Sequence, residues 1–153
     1  MIDEPSTDEL EGILSEWQSF AQRKVFAFRG ITDAAYALYS TAYFRDIANR
    51  SFVRIMREGE DVIVAIVYEP GKEAATVHWA WTHFAFRNTG RQKILWDRCG
   101  LTNANIFISH LTVVSEKLAE KYGWLYSPFS LYKGQENENY QDSIQSGPSE
   151  SSE

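Results

Sequence analysis

Apolar side chains first recur at helical intervals in STDELEGILSEWQSFAQRK, where Leu10, Ile13, Leu14, Trp17 and Phe20 share one stripe of a 3.6-residue repeat. Ser6 or Thr7 can cap this helix, and acids fill its first turn. KVFAFRG is short and β-rich and predicts a strand ending at Gly30. DAAYALYSTAYFRDIANRSFVRIMREGED predicts helix over much of its length, broken near Ser40 and stopped at EGED, with Ile47, Phe52, Ile55 and Met56 as its later apolar face. The pattern then changes. DVIVAIVYEPG is a near-continuous apolar run, as expected of a strand buried on both faces, and a Pro-Gly turn closes it. ATVHWAWTHFAF predicts a second strand, RQKILWDRCG a helix ending at Gly100, and ANIFISH a third strand. TVVSEKLAEKYG predicts a helix opened by Thr112 and stopped by Gly123, and WLYSPFSLY is aromatic and extended. Helices followed by β-β-α-β-α-β make an α/β domain with a mixed central sheet flanked by helices.

The 153 residues suffice for one domain with a real core. From Gly134 the composition passes to Gln, Asn, Ser, Glu, Gly and Pro. Residues 134–153 therefore have little to bury against the entropy of ordering and are expected to be a disordered acidic tail. Residues 1–7 are expected to be a flexible acidic lead-in, leaving 8–133 as the folded domain. Charge sharpens this picture. Residues 1–16 carry −6 and residues 134–153 carry −5, so within a net −6 the segment 17–133 carries +5. An acidic chain thus encloses a mildly basic domain, which matters for anionic ligands. The acidic, weakly apolar start does not resemble a leader, and no apolar run approaches the roughly 18–20 residues that cross a bilayer. A single cysteine, Cys99 at the end of an apolar helix, excludes an internal disulfide and reads as core. A reducing cytoplasm is the expected location.

Chemistry concentrates where the second strand hands over to the next helix, HFAFRNTGRQKILW. A pyrophosphate needs convergent backbone N–H groups, the positive end of a helix and a glycine permitting close approach. Gly90 stands at this turn, with Arg87, Arg91 and Lys93 around the helix start. Cations are unfavourable at a helix N-terminus, so three of them there imply a countercharge such as a bound anion. A lone glycine between strand and helix equally serves a plain turn.

FRNTGRQKILW resembles the acyl-CoA-binding motif of the GNAT acyltransferase superfamily, R/Q-x-x-G-x-G/A, with Arg87 at the first position and Gly90 at the fourth. Tyr68-Glu69, His78-Trp79, Trp81, Phe86-Arg87, the run ISHLT and KYGW are similar to features of GNAT-like proteins of bacteriophages, over about residues 10–132. The resemblance implies a GNAT-like fold and an acetyl-CoA or other acyl-CoA cofactor. It places cofactor contacts at Trp81, Thr82, His83, Arg87, Asn88, Thr89, Gly90, Arg91 and Gln92. An amine acceptor follows, with a virion or host protein as a further partner. Two departures stand out: Gln92 fills a position where the family keeps Gly or Ala, and Ala119 stands where the family often has an acid-donating Tyr.

Acyl transfer to an amine asks for proximity, a proton acceptor and a donor to the thioester oxygen. Backbone amides at the Trp81–Phe84 strand end can supply the donor. Glu69, His78, His83 and His110 are the candidate bases, each histidine equally readable as a hydrogen-bonded core or edge residue. Strict alternation places His78 and His83 on opposite faces of the strand, so one pocket cannot hold both without a bulge. No His/Cys/carboxylate spacing amounts to a metal site. Two other classes compete. Residues 86–98 net +3 and include Phe86 and Trp96, as a weak nucleic-acid contact would, though the acidic ends oppose it. A scaffold that has lost catalysis and serves as a structural or host-interaction factor is favoured by Gln92 and Ala119.

Overall fold

A computed structural model describes residues 2–132; the predicted tail lies outside them. The mixed α/β architecture flanked by helices is found as expected. A six-stranded sheet runs in chain order: β1 (Ile2–Asp3), β2 (Phe52–Glu58), β3 (Asp61–Glu69), β4 (Ala75–Thr82), β5 (Ile106–Ile108) and β6 (Leu125–Tyr126). Neighbours from β1 to β4 are antiparallel, while β4, β5 and β6 are parallel. Helices α1 (Thr7–Lys24) and α2 (Asp33–Arg50) cover one face. Their Ile13, Leu14, Trp17, Phe44 and Ile47 pack on Val53, Ile55, Ala65, Val67 and Trp79 of the sheet. Helices α3 (Arg91–Arg98) and α4 (Val113–Tyr122) lie on the other face, where Leu95 meets Met56, Ile63, Ile66 and Val77. β3 contributes to both cores, which is why its sequence is apolar without alternation.

The local signals that held are the stereochemically strict ones. Ser6 and Thr112 each cap a helix in a reciprocal capping box. Gly123 ends α4 in the left-handed conformation, φ 71°.

Five expectations are corrected. KVFAFRG is not a strand; Phe26–Phe28 form a 3-10 turn whose Phe28 ring packs between Tyr43 of α2 and His110. α2 is not broken at Ser40, because that hydroxyl is buried against the Gln18 side chain and so satisfied without disturbing the helix. The helical stripe extended through Phe52, Ile55 and Met56 is instead β2, where Val53 and Ile55 alternate onto the α1/α2 core. A short apolar run fits both periods, and pairing with β3 decides it. The acidic start is not a loose lead-in: β1 pairs with β2, Arg57 bridges Asp3 and Glu9, and Arg54 reaches Glu4. In WLYSPFSLY only Leu125–Tyr126 is strand, followed by a 3-10 turn at Pro128–Tyr132.

Candidate active site

The site begins with one extra residue. Val67 of β3 opposes Trp79 of β4, and the next residue, Tyr68, opposes Val77, so His78 is a β-bulge. Below it β4 pairs with β5 at Ala75–Ile106, Thr76–Phe107 and Val77–Ile108. Above it the strands part, and among the described residues the β4 edge from Trp79 to Thr82 has no strand neighbour on that side. A cavity of about 500 Å³ fills the opening. Trp17, Phe20 and Val25 wall it on the α1 side, and Gln92, Trp96, Leu118 and Trp124 on the α3/α4 side. Trp96 stacks on Trp124 at 4.9 Å and Tyr122 continues the stack at 5.3 Å, tying α3 to the end of α4. Trp96 and Trp124 are lining residues the sequence reading missed, since aromatic residues at helical spacing also describe an ordinary core.

At the upper end the chain turns through Phe84–Phe86, a 3-10 turn, into the loop before α3. Asn88 (φ 62°) and Gly90 (φ 78°) are both left-handed, which Gly allows and Asn tolerates. The amides from Asn88 to Lys93 find no protein acceptor among the described residues, the last three because helix geometry leaves them unpaired. These unpaired amides lie in the loop where the motif implies a bound anion. The charge argument is weaker than expected: Arg91 pairs with Glu58 at 3.0 Å and Lys93 with Asp97 at 3.1 Å. Arg87 has no carboxylate partner among the described residues and donates from Nε to the Thr82 carbonyl at 3.3 Å. The same pairings reduce the phosphate-binding potential of residues 86–98.

Gln92 does not fold over these amides. In the amide orientation that satisfies both ends, Nε2 donates to Thr82 Oγ1 at 2.8 Å and to the Trp81 carbonyl at 3.1 Å, and Oε1 accepts from Trp96 Nε1 at 2.9 Å. The opposite orientation sets like atoms against each other. The side chain thus clasps α3 to the open edge of β4, at the rim of the cavity.

Three of the four candidate bases are brought together. His78 Nε2 lies 2.8 Å from Glu69 Oε2 and His78 Nδ1 2.7 Å from Ser109 Oγ. Ser109 Oγ is 2.7 Å from His110 Nδ1, and His110 Nε2 is 2.8 Å from the Tyr43 hydroxyl. Arg50 approaches Glu69 at 3.6 Å. Burial lowers the pKa of His78 against the opposing pull of Glu69, which favours the neutral imidazole donating a hydrogen bond to the Glu69 carboxylate. Burial holds His110 at about 3, with His78 adding to the effect. His83 stands apart, its Nδ1 accepting from the Ala85 amide at 3.2 Å as the cap of the 3-10 turn. Ser109 and Tyr43 were not singled out in the sequence; each acquires its partner only when β5 and α2 are placed. Cys99 is half-buried and burial raises its pKa, as for an unreactive thiol. Among the described residues no helix is long and apolar enough to cross a membrane.

No family model matches the chain, and no curated protein matches it. Solved structures do. The crystal structure of a "possible acetyltransferase from Clostridium difficile 630" matches at TM-score 0.51 and 11% identity, over 82% of this chain and 90% of that one. A ribosomal-protein-alanine N-acetyltransferase from Brucella melitensis biovar Abortus 2308 matches at 0.43 and 15%, over 100% and 96%. AAC(6')-Iy in complex with the bisubstrate analog CoA-S-monomethyl-acetylneamine matches at 0.41 and 15%, over 81% and 89%. The first of these establishes a likeness of fold.

Proposed function

We propose that the protein is an acyl-CoA-dependent N-acyltransferase whose donor lies in the opening between β4 and β5. The observation that carries this reading is the divergence of those strands beyond Val77 and Ile108, which leads from a cavity to a loop of unpaired amides. The amides of Asn88 to Lys93 would hold the pyrophosphate, with Arg87 beside it. The free edge of β4, Trp81 and Thr82 included, would hydrogen-bond the pantetheine arm as a further strand would. An N–H at the strand end would polarise the thioester carbonyl. The acceptor amine would enter from the α1 side, past Trp17, Phe20 and Val25. Glu69, His78 and His110 would manage its proton. The bacteriophage kinship, a host-cytoplasmic setting and a virion or host partner belong to the same reading and rest on the motifs of the sequence.

Thermal unfolding with acetyl-CoA tests this. A ligand at one hundred times its Kd stabilises by about 2.7 kcal/mol, which shifts Tm by several degrees. A Cβ at Gly90 meets nothing within 4 Å, so Gly90→Glu folds at about 1 kcal/mol of left-handed strain while placing a carboxylate at the seat. The wild type should shift and Gly90→Glu should not. Equal shifts in both would remove the seat from the mechanism.

One observation favours a second reading. The Gln92 clasp spans the rim of the opening, as suits a scaffold that no longer takes a cofactor. On that reading acetyl-CoA leaves Tm unchanged.

A further inference from the structure

Among the described residues no aspartate or glutamate lines the cavity between β4 and β5; its titratable lining groups are His78, His110, Lys93 and Tyr122. Both ring nitrogens of each histidine are already taken, those of His78 by Glu69 and Ser109 and those of His110 by Ser109 and Tyr43. Burial lowers the pKa of both, so neither is an imidazolium at neutral pH. Glu69, the carboxylate at the end of this polar array, stands outside the lining and is shared between His78 and Arg50. The charges that do approach the cavity are positive. Lys93 lines its α3 side, paired with Asp97. Arg23 and Lys24 stand in the last turn of α1, between the lining residues Phe20 and Val25, and have no carboxylate partner among the described residues. The α1 side itself is apolar and aromatic. Trp17 stacks on Trp79 at 6.0 Å, both are buried, and half-buried Phe20 follows Trp17 by one helical turn.

An ammonium entering such a site leaves water without gaining a counter-charge, which is costly, whereas an uncharged amine loses far less. An alkylamine with an ordinary pKa of about 10.4 is uncharged in roughly one molecule in 2,500 at pH 7. An amine bonded to an aromatic ring shares its lone pair with that ring and is uncharged at the same pH. The ring is also a large apolar group, which an aromatic wall suits. Resting on the acyl-transfer reading, we propose that the acceptor is a primary amine carried directly on an apolar aromatic ring, bound uncharged against Trp17, Phe20, Val25 and Trp79. Its lone pair attacks the thioester carbonyl, a C–N bond forms and the carbonyl pair moves to oxygen. That pair re-forms the carbonyl as the C–S bond breaks and sulfur leaves with its electrons. The nitrogen sheds one proton and sulfur gains one, so the products are an N-aryl amide and the CoA thiol. The same charge pattern turns away polyamines and other polycationic acceptors, which need carboxylates to hold them.

The isomers 4-ethylaniline and 2-phenylethylamine carry the same ring, and the placement of the nitrogen alone sets their basicity apart. Isothermal titration of each into the full chain, with CoA present, gives its dissociation constant. At pH 7 the aniline should bind at least about 100-fold more tightly. Between about pH 7 and 9 the affinity for 2-phenylethylamine should rise about tenfold per unit, as its uncharged fraction does, while that for 4-ethylaniline stays level. Phe20→Glu sets a carboxylate on the α1 wall and should improve 2-phenylethylamine binding at about pH 7 by at least about tenfold. With acetyl-CoA, the wild type should convert 4-ethylaniline to its acetanilide. Equal affinities at neutral pH, a 2-phenylethylamine affinity that ignores pH, or no gain in folded Phe20→Glu each overturns the proposal. If 2-phenylethylamine is then acetylated, acyl transfer stands without it. A wild type that binds no acetyl-CoA and acetylates neither amine overturns the acyl-transfer reading itself, even where the aniline binds as stated.

Discussion

Gln92 is the residue at which stability and ligand affinity should move in opposite directions. Its side-chain amide makes three hydrogen bonds, to Thr82, Trp81 and Trp96, at 2.8, 3.1 and 2.9 Å. The site is half-exposed, so each bond stands near the lower end of the usual net range, about 0.5 kcal/mol, and the clasp totals about 1.5 kcal/mol. Gln92→Ala forfeits that sum and recovers a few tenths of a kcal/mol in helix propensity. The free protein should therefore lose about 1 kcal/mol, or roughly 3 °C in Tm. On the proposed acyl-transfer reading the pantetheine arm needs the β4 edge that the clasp covers, so binding must first open it. That opening lowers the apparent affinity by the clasp's own free energy, about tenfold. Gln92→Ala should accordingly bind acetyl-CoA about tenfold more tightly, as read by isothermal titration, although its own fold is weaker. Thr82→Val, which removes one of the three bonds, should change both quantities in the same directions by less. An affinity that falls in Gln92→Ala would refute the argument and make the Gln92 amide a cofactor ligand. An unchanged affinity would mean that the arm runs elsewhere.

Stability should also depend on pH through the buried histidines. His110 is held at about 3 and His78 is lowered, whereas both titrate near 6.5 when unfolded. The unfolded chain thus binds more protons below that pH. Stability should be complete above about pH 6.5 and fall as the pH drops towards 3, by up to about 1.4 kcal/mol per pH unit for each proton taken up. A urea midpoint constant from about pH 7.5 to 5 would contradict this, on the same titration. In the core, Leu95 is wholly buried between α3 and the sheet. Leu95→Ala should cost about 2–5 kcal/mol by chemical denaturation, and a loss under 1 kcal/mol would show that α3 packs less closely than described.

Local stereochemistry was the part of the fold most legible in the chain. Ser6, Thr112 and Gly123 mark helix ends because capping and left-handed termination are decided within a few residues. β3 announced itself by being apolar on both faces. What failed needed partners distant in sequence. Phe52–Glu58 satisfies a helical period until β3 pairs with it, and Ile2–Asp3 is too short to signal anything until Arg57 and β2 hold it. At the site, Glu69, His78 and His110 could be nominated from residue type and strand position. The hydroxyls of Ser109 and Tyr43 could not, since serine and tyrosine are common and only the assembled sheet and α2 aim them.

The bulge at His78 explains why the cavity and the polar array occur together. Under strict alternation Trp79 and Trp81 would share the face of Ala75 and Val77, and their rings would compete with Leu95 for the space beneath α3. The extra residue reverses the parity. Trp79 and Trp81 now pack towards α1 and α2, where Trp17 stacks on Trp79 at 6.0 Å, and small Ala80 together with Thr82 is left facing α3. Bulky groups therefore leave the face where the opening forms. A bulge also bends its strand, which ends the pairing with β5 at Val77. The His78 side chain lies at the fork between the two strands, in reach of Glu69 on β3 and Ser109 just past β5. Restoring regular pairing at this residue would close the gap between the strands and separate His78 from Ser109 in one step, so neither feature can be kept without the other.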